Sequence, residues 1–361
     1  MNAISIRGVV KNYPHFTLGP IDLTVQRGEL FGILGPPSSG KTSILKLILG
    51  LVKPDHGRVL VGGADTDEME AAERQISMVF QNLALFPHMS GRENITFPLT
   101  ERGLSKEEIA VRLGAVSDVL HVGHILHKNP AQMSGGERQR IALGRALAPD
   151  SRAILLDEPI AALDARLREE MRIELKRLQR TNNQTFVYVS HDEEEVMAIA
   201  DRVAVVIDGR VAQVGTPDEV YNKPNSLSVA YEVGSPPMNL FRGRFSADGQ
   251  QFECGDMTVA IAETVDVPAG EQGTLGIRPE DIHQASDHAP QRLLVSVSSI
   301  EPLGGYTIVN ALLGEQLIKI RVTGQLESLH DYGGSVVFDA RRLHLFDSQG
   351  DRLGIKMTAT S

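Results

Sequence analysis

The stretch "LFGILGPPSSGKT", Leu30 to Thr42, runs from five apolar residues into a loop of glycine, proline and serine that closes on Lys41 and Thr42. The apolar part, Leu30 to Leu34, suits a strand buried on both faces of a parallel sheet. Gly35, Pro36, Pro37, Ser38, Ser39, Gly40, Lys41 and Thr42 then fit G-x-x-x-x-G-K-[ST], the phosphate loop that joins such a strand to a helix. Backbone N–H groups of that loop turn inward at phosphate oxygens, and the following helix adds the positive end of its dipole. Lys41 neutralises β- and γ-phosphate charge, and the Thr42 hydroxyl is offered to Mg²⁺. Pro37 and Ser38 stand out, because glycine is frequent at the position of Ser38 and a side chain there bears on the geometry of the loop.

Outward from the loop, apolar runs bounded by turn residues recur at Ala153 to Leu156, Phe186 to Val189 and Val203 to Ile207. A helical period appears between them, where Leu167, Met171, Leu175 and Leu178 fall on one face. The alternation predicts an α/β fold. Residues 83–150 read as an inserted helical subdomain: "SKEE", Ser105 to Glu108, is a capping-box pattern, and no strand pattern intervenes before Ala153. "GSPPMN", Gly234 to Asn239, breaks the pattern with two prolines and a glycine. Beyond it short runs alternate apolar and polar residues, as in Val295 to Ser298 and Ile318 to Val322. The expected division is therefore a first domain over 1–235 and a small all-β domain, an OB-like barrel, over 236–361.

The 361 residues exceed one ordinary compact core, in keeping with two domains. No run of eighteen apolar residues appears, and "MNAISIRGVV" lacks the charged start and apolar core of a secretion signal, so a cytoplasmic location is expected. A formal charge of −10 argues against nucleic acid held by a broad basic surface. The single Cys254 cannot form an internal disulfide and has no metal-ligand spacing around it, so it reads as an inert thiol.

Two further strand ends carry chemistry. "AILLDEP", Ala153 to Pro159, ends in adjacent carboxylates, with Asp157 placed for Mg²⁺ through water and Glu158 to polarise the water attacking the γ-phosphate. "VYVSHD", Val187 to Asp192, puts Ser190 and His191 on the sheet edge where ligands of parallel sheets bind, and His191 reads as a γ-phosphate sensor. Gln81 in "MVFQN" reads equally as a surface amide, and Tyr13 in "KNYPHF" as a core aromatic. "MSGGERQR", Met133 to Arg140, has Ser134 and Glu137 in capping-box spacing around Gly135 and Gly136. It is an anion site without a lysine, on the helical subdomain.

"GPPSSGKT", "MSGGERQR", "LLDEP", "LD" at Leu163 to Asp164 and "SHD" occur in the order and spacing of an ABC-transporter ATPase subunit, which the chain resembles along nearly its whole length. "GTPDEVYNKP" at 215–224, "GSPPMN" at 234–239, "GIRPED" at 276–281 and "LHLFD" at 343–347 resemble importer ATPases of the maltose and glycerol-phosphate type. The resemblance implies that Tyr13 stacks on adenine, that Gln81 touches Mg²⁺ and reports it to membrane subunits, and that His191 holds the γ-phosphate near Glu158. It makes Ser134, Gly135 and Gly136 the signature loop for ATP on a second, identical or related ATPase subunit, with Asp164 at the dimer interface. The signature carries Glu137 where glutamine is common, and Ala161 stands where serine is frequent.

The implied protein hydrolyses ATP with Mg²⁺ as a peripheral protein on the cytoplasmic face of the inner membrane. It sits beneath two transmembrane permease subunits that a solute-binding protein serves from outside. The implied solute is a carbohydrate or glycerol phosphate; polyamine, sulfate or iron are the alternatives within the same architecture. A soluble repair or ribosomal ABC ATPase would need long heptad arms or tandem ATPase units, and neither pattern is visible.

Overall fold

The computed structural model describes residues 2–262, 265, 267–268, 270–286, 292–326 and 332–353. The chain divides into two compact units, Met1–Pro217 and Asp218–Ser361.

The first unit begins with β1 (Asn2–Tyr13), β2 (Phe16–Gln26), β3 (Leu30–Leu34), α1 (Lys41–Leu49), β4 (His56–Val61), β5 (Ala64–Asp65) and β6 (Ile76–Val79). Three long helices follow: α2 (Gly91–Glu101), α3 (Lys106–Leu120) and α4 (Gly135–Leu147). Then come β7 (Ala153–Asp157), α5 (Ala165–Asn182), β8 (Phe186–Val189), α6 (Glu193–Ile199), β9 (Arg202–Ile207) and β10 (Arg210–Gly215). β3, β6, β7, β8 and β9 run parallel in the order β9-β3-β8-β7-β6, and β10 adds an antiparallel edge. A second, antiparallel sheet has the order β2-β1-β4-β5. One apolar core joins Ile4, Ile6 and Val25 of that sheet to Phe31 and Ile33 of β3 and to Ile44 and Ile48 of α1.

Every residue of β3 is buried, as a strand covered on both faces requires. Gly32 in its middle lets α6 approach, since a Cβ there would strike the Val196 side chain and lie 2.9 Å from that of Val203. The helical stretch between β6 and β7 falls inside the expected 83–150 and starts each of its helices with the same device. Ser90 with Glu93, Ser105 with Glu108 and Ser134 with Glu137 form complete capping boxes.

From Asp218 the second unit takes in all but the first residue of α7 (Pro217–Asn222), then α8 (Leu227–Glu232), and continues through β11 (Asn239–Phe245), β12 (Gln251–Cys254), β13 (Met257–Ala260), β14 (Gln272–Ile277) and β15 (Ile282–Gln284). It ends with β16 (Leu293–Leu294), β17 (Ser296–Pro302), β18 (Tyr306–Leu313), β19 (Gln316–Thr323), β20 (Ser335–Phe338) and β21 (His344–Phe346). Sheets of order β13-β12-β11-β14-β21, β15-β20-β16 and β17-β18-β19 surround a core that includes Phe241, Phe252, Leu275, Val309 and Ile320. The unit boundary falls earlier than the 235/236 read from the prolines of "GSPPMN". The buried Arg278 accounts for this: its guanidinium donates to the carbonyls of Tyr221 (2.7 Å), Ala230 (3.4 Å) and Val233, tying both short helices to the β domain. No helix among the described residues is long and apolar enough to cross a membrane.

Candidate active site

The phosphate loop is shaped by its prolines rather than damaged by them. Ser39 N–H donates to Pro36 O at 3.3 Å, closing a four-residue turn with Pro37 second and Ser38 third. Ser38 has φ of 64°, the positive value that a type II turn demands at its third position and that proline at the second favours. A left-handed residue with a Cβ costs about 1–2 kcal/mol, while glycine gives back about 0.5–1 kcal/mol through the entropy of the unfolded chain. Ser38→Gly is therefore expected to raise the melting temperature by roughly 1–4 °C with ATP turnover retained, as scanning calorimetry would report. A fall in melting temperature would show that the Ser38 side chain has a role in the loop beyond its backbone.

Around this turn the loop offers donors. Gly40 begins α1 with φ of 105°, no side chain caps the helix and no acidic residue lies in its first turn. Its first N–H groups are thus available to an anion. Ser39 is buried, and its hydroxyl has no hydrogen-bond partner among the described residues. Lys41 Nζ lies across the loop, 2.7 Å from Gly35 O and 2.8 Å from Pro36 O. A Cβ on Gly35 would strike Val206 O, so the loop lies against the end of β9. Tyr13, half-buried at the end of β1, stacks on Phe16 at 6.2 Å between centroids, and the Phe16 ring approaches the Cβ position of Gly40 to 3.2 Å. Tyr13 therefore stands next to the loop through Phe16.

Asp157, buried at the end of β7, accepts the Thr42 hydroxyl at 3.1 and 3.3 Å. Burial pushes its pKa up, with the Thr42 hydrogen bond and Lys46 and Lys41 acting against that rise and the neighbouring Glu158 adding to it. A hydroxyl beside a buried carboxylate that has no ion-pair partner among the described residues fits Mg²⁺, which takes one or two protein oxygens and completes its shell with phosphates and water.

Glu158 is held at both ends. Gln81 Nε2 donates to its Oε2 at 3.3 Å, and His191 Nδ1 lies 3.3 Å from its Oε1. Its backbone has φ of 50°, a left-handed conformation for a residue with a side chain, which costs on the order of 1–3 kcal/mol. Two bonds keep the peptide there: Glu158 N–H donates to Val189 O at 2.8 Å, and Gln139 Nε2 donates to Glu158 O at 3.1 Å. Gln139 also accepts the Ala162 N–H at 2.9 Å, so this buried amide ties α4 to the segment between Glu158 and Asp164. Sequence reasoning missed it. The signal was a glutamine whose i+3, i+4 and i+7 neighbours, Ala142, Leu143 and Ala146, all belong to a buried face.

The structure forms two sets of contacts, Thr42 with Asp157 and Gln81 and His191 with Glu158, which adjoin because Asp157 and Glu158 are consecutive residues. Asp164 is exposed and caps α5 through the Leu167 N–H at 3.0 Å. At the other loop, Ser134 Oγ accepts the Glu137 N–H at 3.2 Å and Glu137 accepts the Ser134 N–H at 2.6 Å. Lys128 Nζ lies 2.8 Å from Glu137 Oε1 and offsets its charge. That hydrogen bond, with the Ser134 N–H, lowers the Glu137 pKa to about 2. Neither Gly135 nor Gly136 has positive φ. A Cβ on Gly135 would meet nothing nearer than Ala162 Cβ at 4.0 Å, so nothing within the chain demands glycine there. An approach from outside the chain would.

Residues 18–161 match the family described as ABC transporter, and residues 234–282 match the MalK OB fold domain. The sn-glycerol-3-phosphate import ATP-binding protein UgpC of Cereibacter sphaeroides is 39% identical over 355 residues, covering 98% of this chain and 99% of its own. UgpC of Escherichia coli K12 is 38% identical over 97% of this chain and 99% of its own. The sulfoquinovosyl glycerol transport ATP-binding protein SmoE of Agrobacterium fabrum is 37% identical over 98% and 99%. Among solved structures, a dimeric bacterial ABC transporter cassette superposes with a TM-score of 0.56 at 30% identity, over 59% of this chain and 98% of the other. A post-hydrolysis dimer of an ATP-binding cassette bound to ADP and Pi gives 0.55 at 29%, with the same coverage.

Proposed function

Because the chain belongs to the family of ABC-importer ATP-binding proteins, we propose that it works as one of two ATPase subunits that power uptake of a glycerol phosphate or related carbohydrate through a membrane permease. The named relatives import sn-glycerol 3-phosphate and transport sulfoquinovosyl glycerol, solutes that share a glycerol unit and an acidic group, and this favours an anionic glycerol compound. In this reading the protein is peripheral, on the cytoplasmic face of the membrane, and a solute-binding protein outside reaches it only through two permease subunits.

The observation that carries the catalytic part is the grip on Glu158 by Gln81 and His191, next to the Thr42–Asp157 pair. ATP lies with adenine on Tyr13 and its phosphates in the loop from Gly35 to Thr42, where Lys41 turns from the loop carbonyls to the β- and γ-oxygens. Thr42, Asp157 and Gln81 would hold Mg²⁺, which would supply positive charge to offset that of the phosphates. Glu158 orients a water and takes its proton as the water oxygen attacks the γ-phosphorus and the bond to the β–γ bridging oxygen breaks. With Nδ1 toward Glu158, His191 presents Nε2 to the γ-phosphate.

Gly135, where a Cβ would meet nothing nearer than Ala162 Cβ at 4.0 Å among the described residues, supports a site completed by a second chain. Lys41→Ala and Gly135→Asp proteins, each also carrying Glu158→Gln to stop turnover, test this. Gly135→Asp brings a carboxylate against the γ-phosphate, a like-charge contact in a poorly solvated place. Each variant alone should trap little ATP. Their verified heterodimer should trap up to one ATP per dimer, because one of its two sites joins an intact phosphate loop to an intact signature. Trapping in the heterodimer no better than in either homodimer would refute the shared site.

A further inference from the structure

The outer face of the five-stranded sheet in the second unit carries polar side chains in a concave setting. β11 and β14 pair with Arg242 opposite Thr274 and Arg244 opposite Gln272. Residues directly opposite in a strand pair share a face, so two guanidiniums, a hydroxyl and a carboxamide form a two-by-two patch. Gly243 and Gly273 sit opposite each other between them. A Cβ on Gly243 would lie 2.7 Å from the Phe252 ring, and one on Gly273 would strike the Phe245 ring. The inner face is thus committed to aromatic packing.

This patch lines a groove of about 570 Å³, which Leu227 and the turn from Asp347 to Gly350 also line. That volume is in the usual range for small-molecule sites, about 300–1,000 Å³. The turn is pinned: Leu227 N–H donates to Gly350 O at 2.8 Å, and Asp347 Oδ1 accepts the N–H groups of Gln349 (2.8 Å) and Asp351 (2.9 Å). The groove's one carboxylate is therefore occupied by its own turn. Among the described residues, no side-chain hydrogen bond or ion pair engages Arg242, Arg244, Gln272 or Thr274, and Thr274 is only 6% exposed. Glu253, opposite Arg244 on β12, makes no ion pair with it among the described residues. Arg242 and Arg244 are both exposed, so solvent screens their mutual repulsion; with no ion pair to either among the described residues, they leave a locally positive groove in a chain of net charge −10.

We propose that this groove binds the phosphate group of inorganic phosphate or of a small phosphate ester. Guanidinium forks match phosphate oxygens in pairs, and Gln272 and Thr274 supply neutral donors beside them. The groove has room for a short organic remainder. The assignment does not rest on the imported solute and would stand if that solute were a neutral sugar.

The test uses full-length protein carrying Lys41→Ala, so that the phosphate loop does not compete. Calorimetric titration with inorganic phosphate, sn-glycerol 3-phosphate and glycerol is expected to show one site per chain for one or both phosphate compounds and none for glycerol. Which phosphate compound binds tighter identifies the source of the group. Adding Arg242→Ala with Arg244→Ala should weaken binding at least about tenfold, and Arg242→Lys with Arg244→Lys should restore it only in part, since lysine keeps the charge and loses the fork. With Lys41 intact, the double alanine protein should bind ATP as the parent does, which confirms folding. Phosphate isotherms unchanged by the double replacement, absence of phosphate binding in the Lys41→Ala protein, or equal binding of glycerol would overturn the proposal.

Discussion

A protein carrying Glu158→Gln will bind ATP with the parent's affinity and turn it over at least about a hundredfold more slowly. The substitution keeps the size and planarity of the group between Gln81 and His191 but removes its ability to accept a proton from water. The strained peptide is untouched, because its two bonds, from Glu158 N–H to Val189 O and from Gln139 to Glu158 O, use backbone atoms. Binding and chemistry should therefore separate cleanly. Equilibrium nucleotide binding and phosphate release, measured on the same preparation, check this. Hydrolysis near the parent's rate would mean that another group activates the water.

Lys41→Ala should fail one step earlier. The ammonium that bridges Gly35 O and Pro36 O at 2.7 and 2.8 Å is the strong point charge of the loop, and Ala leaves those carbonyls facing the phosphates. Hydrogen bonds to charged groups are worth about 1.5–3 kcal/mol, so ATP affinity should fall by roughly ten- to a hundredfold. Calorimetry on a variant whose circular dichroism matches the parent is the measurement. Unchanged affinity would remove Lys41 from the site.

The parts of the molecule that could be read beforehand are those in which local pattern and tertiary environment agree. β3 and β8 match their apolar runs residue for residue, because strands buried on both faces need no alternation to betray them. The sheet of β1, β2, β4 and β5 gave no such warning. β1 shifts register against β2 between Asn2 and Ile4, Ile6 and Val9, and Val9 and Lys11, and each bulge breaks the two-residue period that marks a half-buried strand. α7 and α8 look like a continuation of α/β alternation, and long-range bonds, from Arg278 to both helices and from Leu227 N–H to Gly350 O, assign them to the β domain. At the site, residue types and spacing brought Thr42, Asp157, Glu158 and His191 into view. The left-handed peptide of Glu158 and the amide that holds it depend on α4 returning to β7, which no short window of sequence contains.

Gln139 is one rigid planar group gripping two segments, so its bonds to Glu158 O and from Ala162 N–H cannot lengthen independently. It acts as a crank. A tilt of α4 would carry with it both the Glu158 peptide and the segment at Ala162. Gly135 lies four residues before Gln139, about 6 Å along the helix axis, so pressure on the glycines reaches this crank across a single helical turn. If two chains close on each other as proposed, that closing would be geared to the Glu158 peptide through one uncharged side chain.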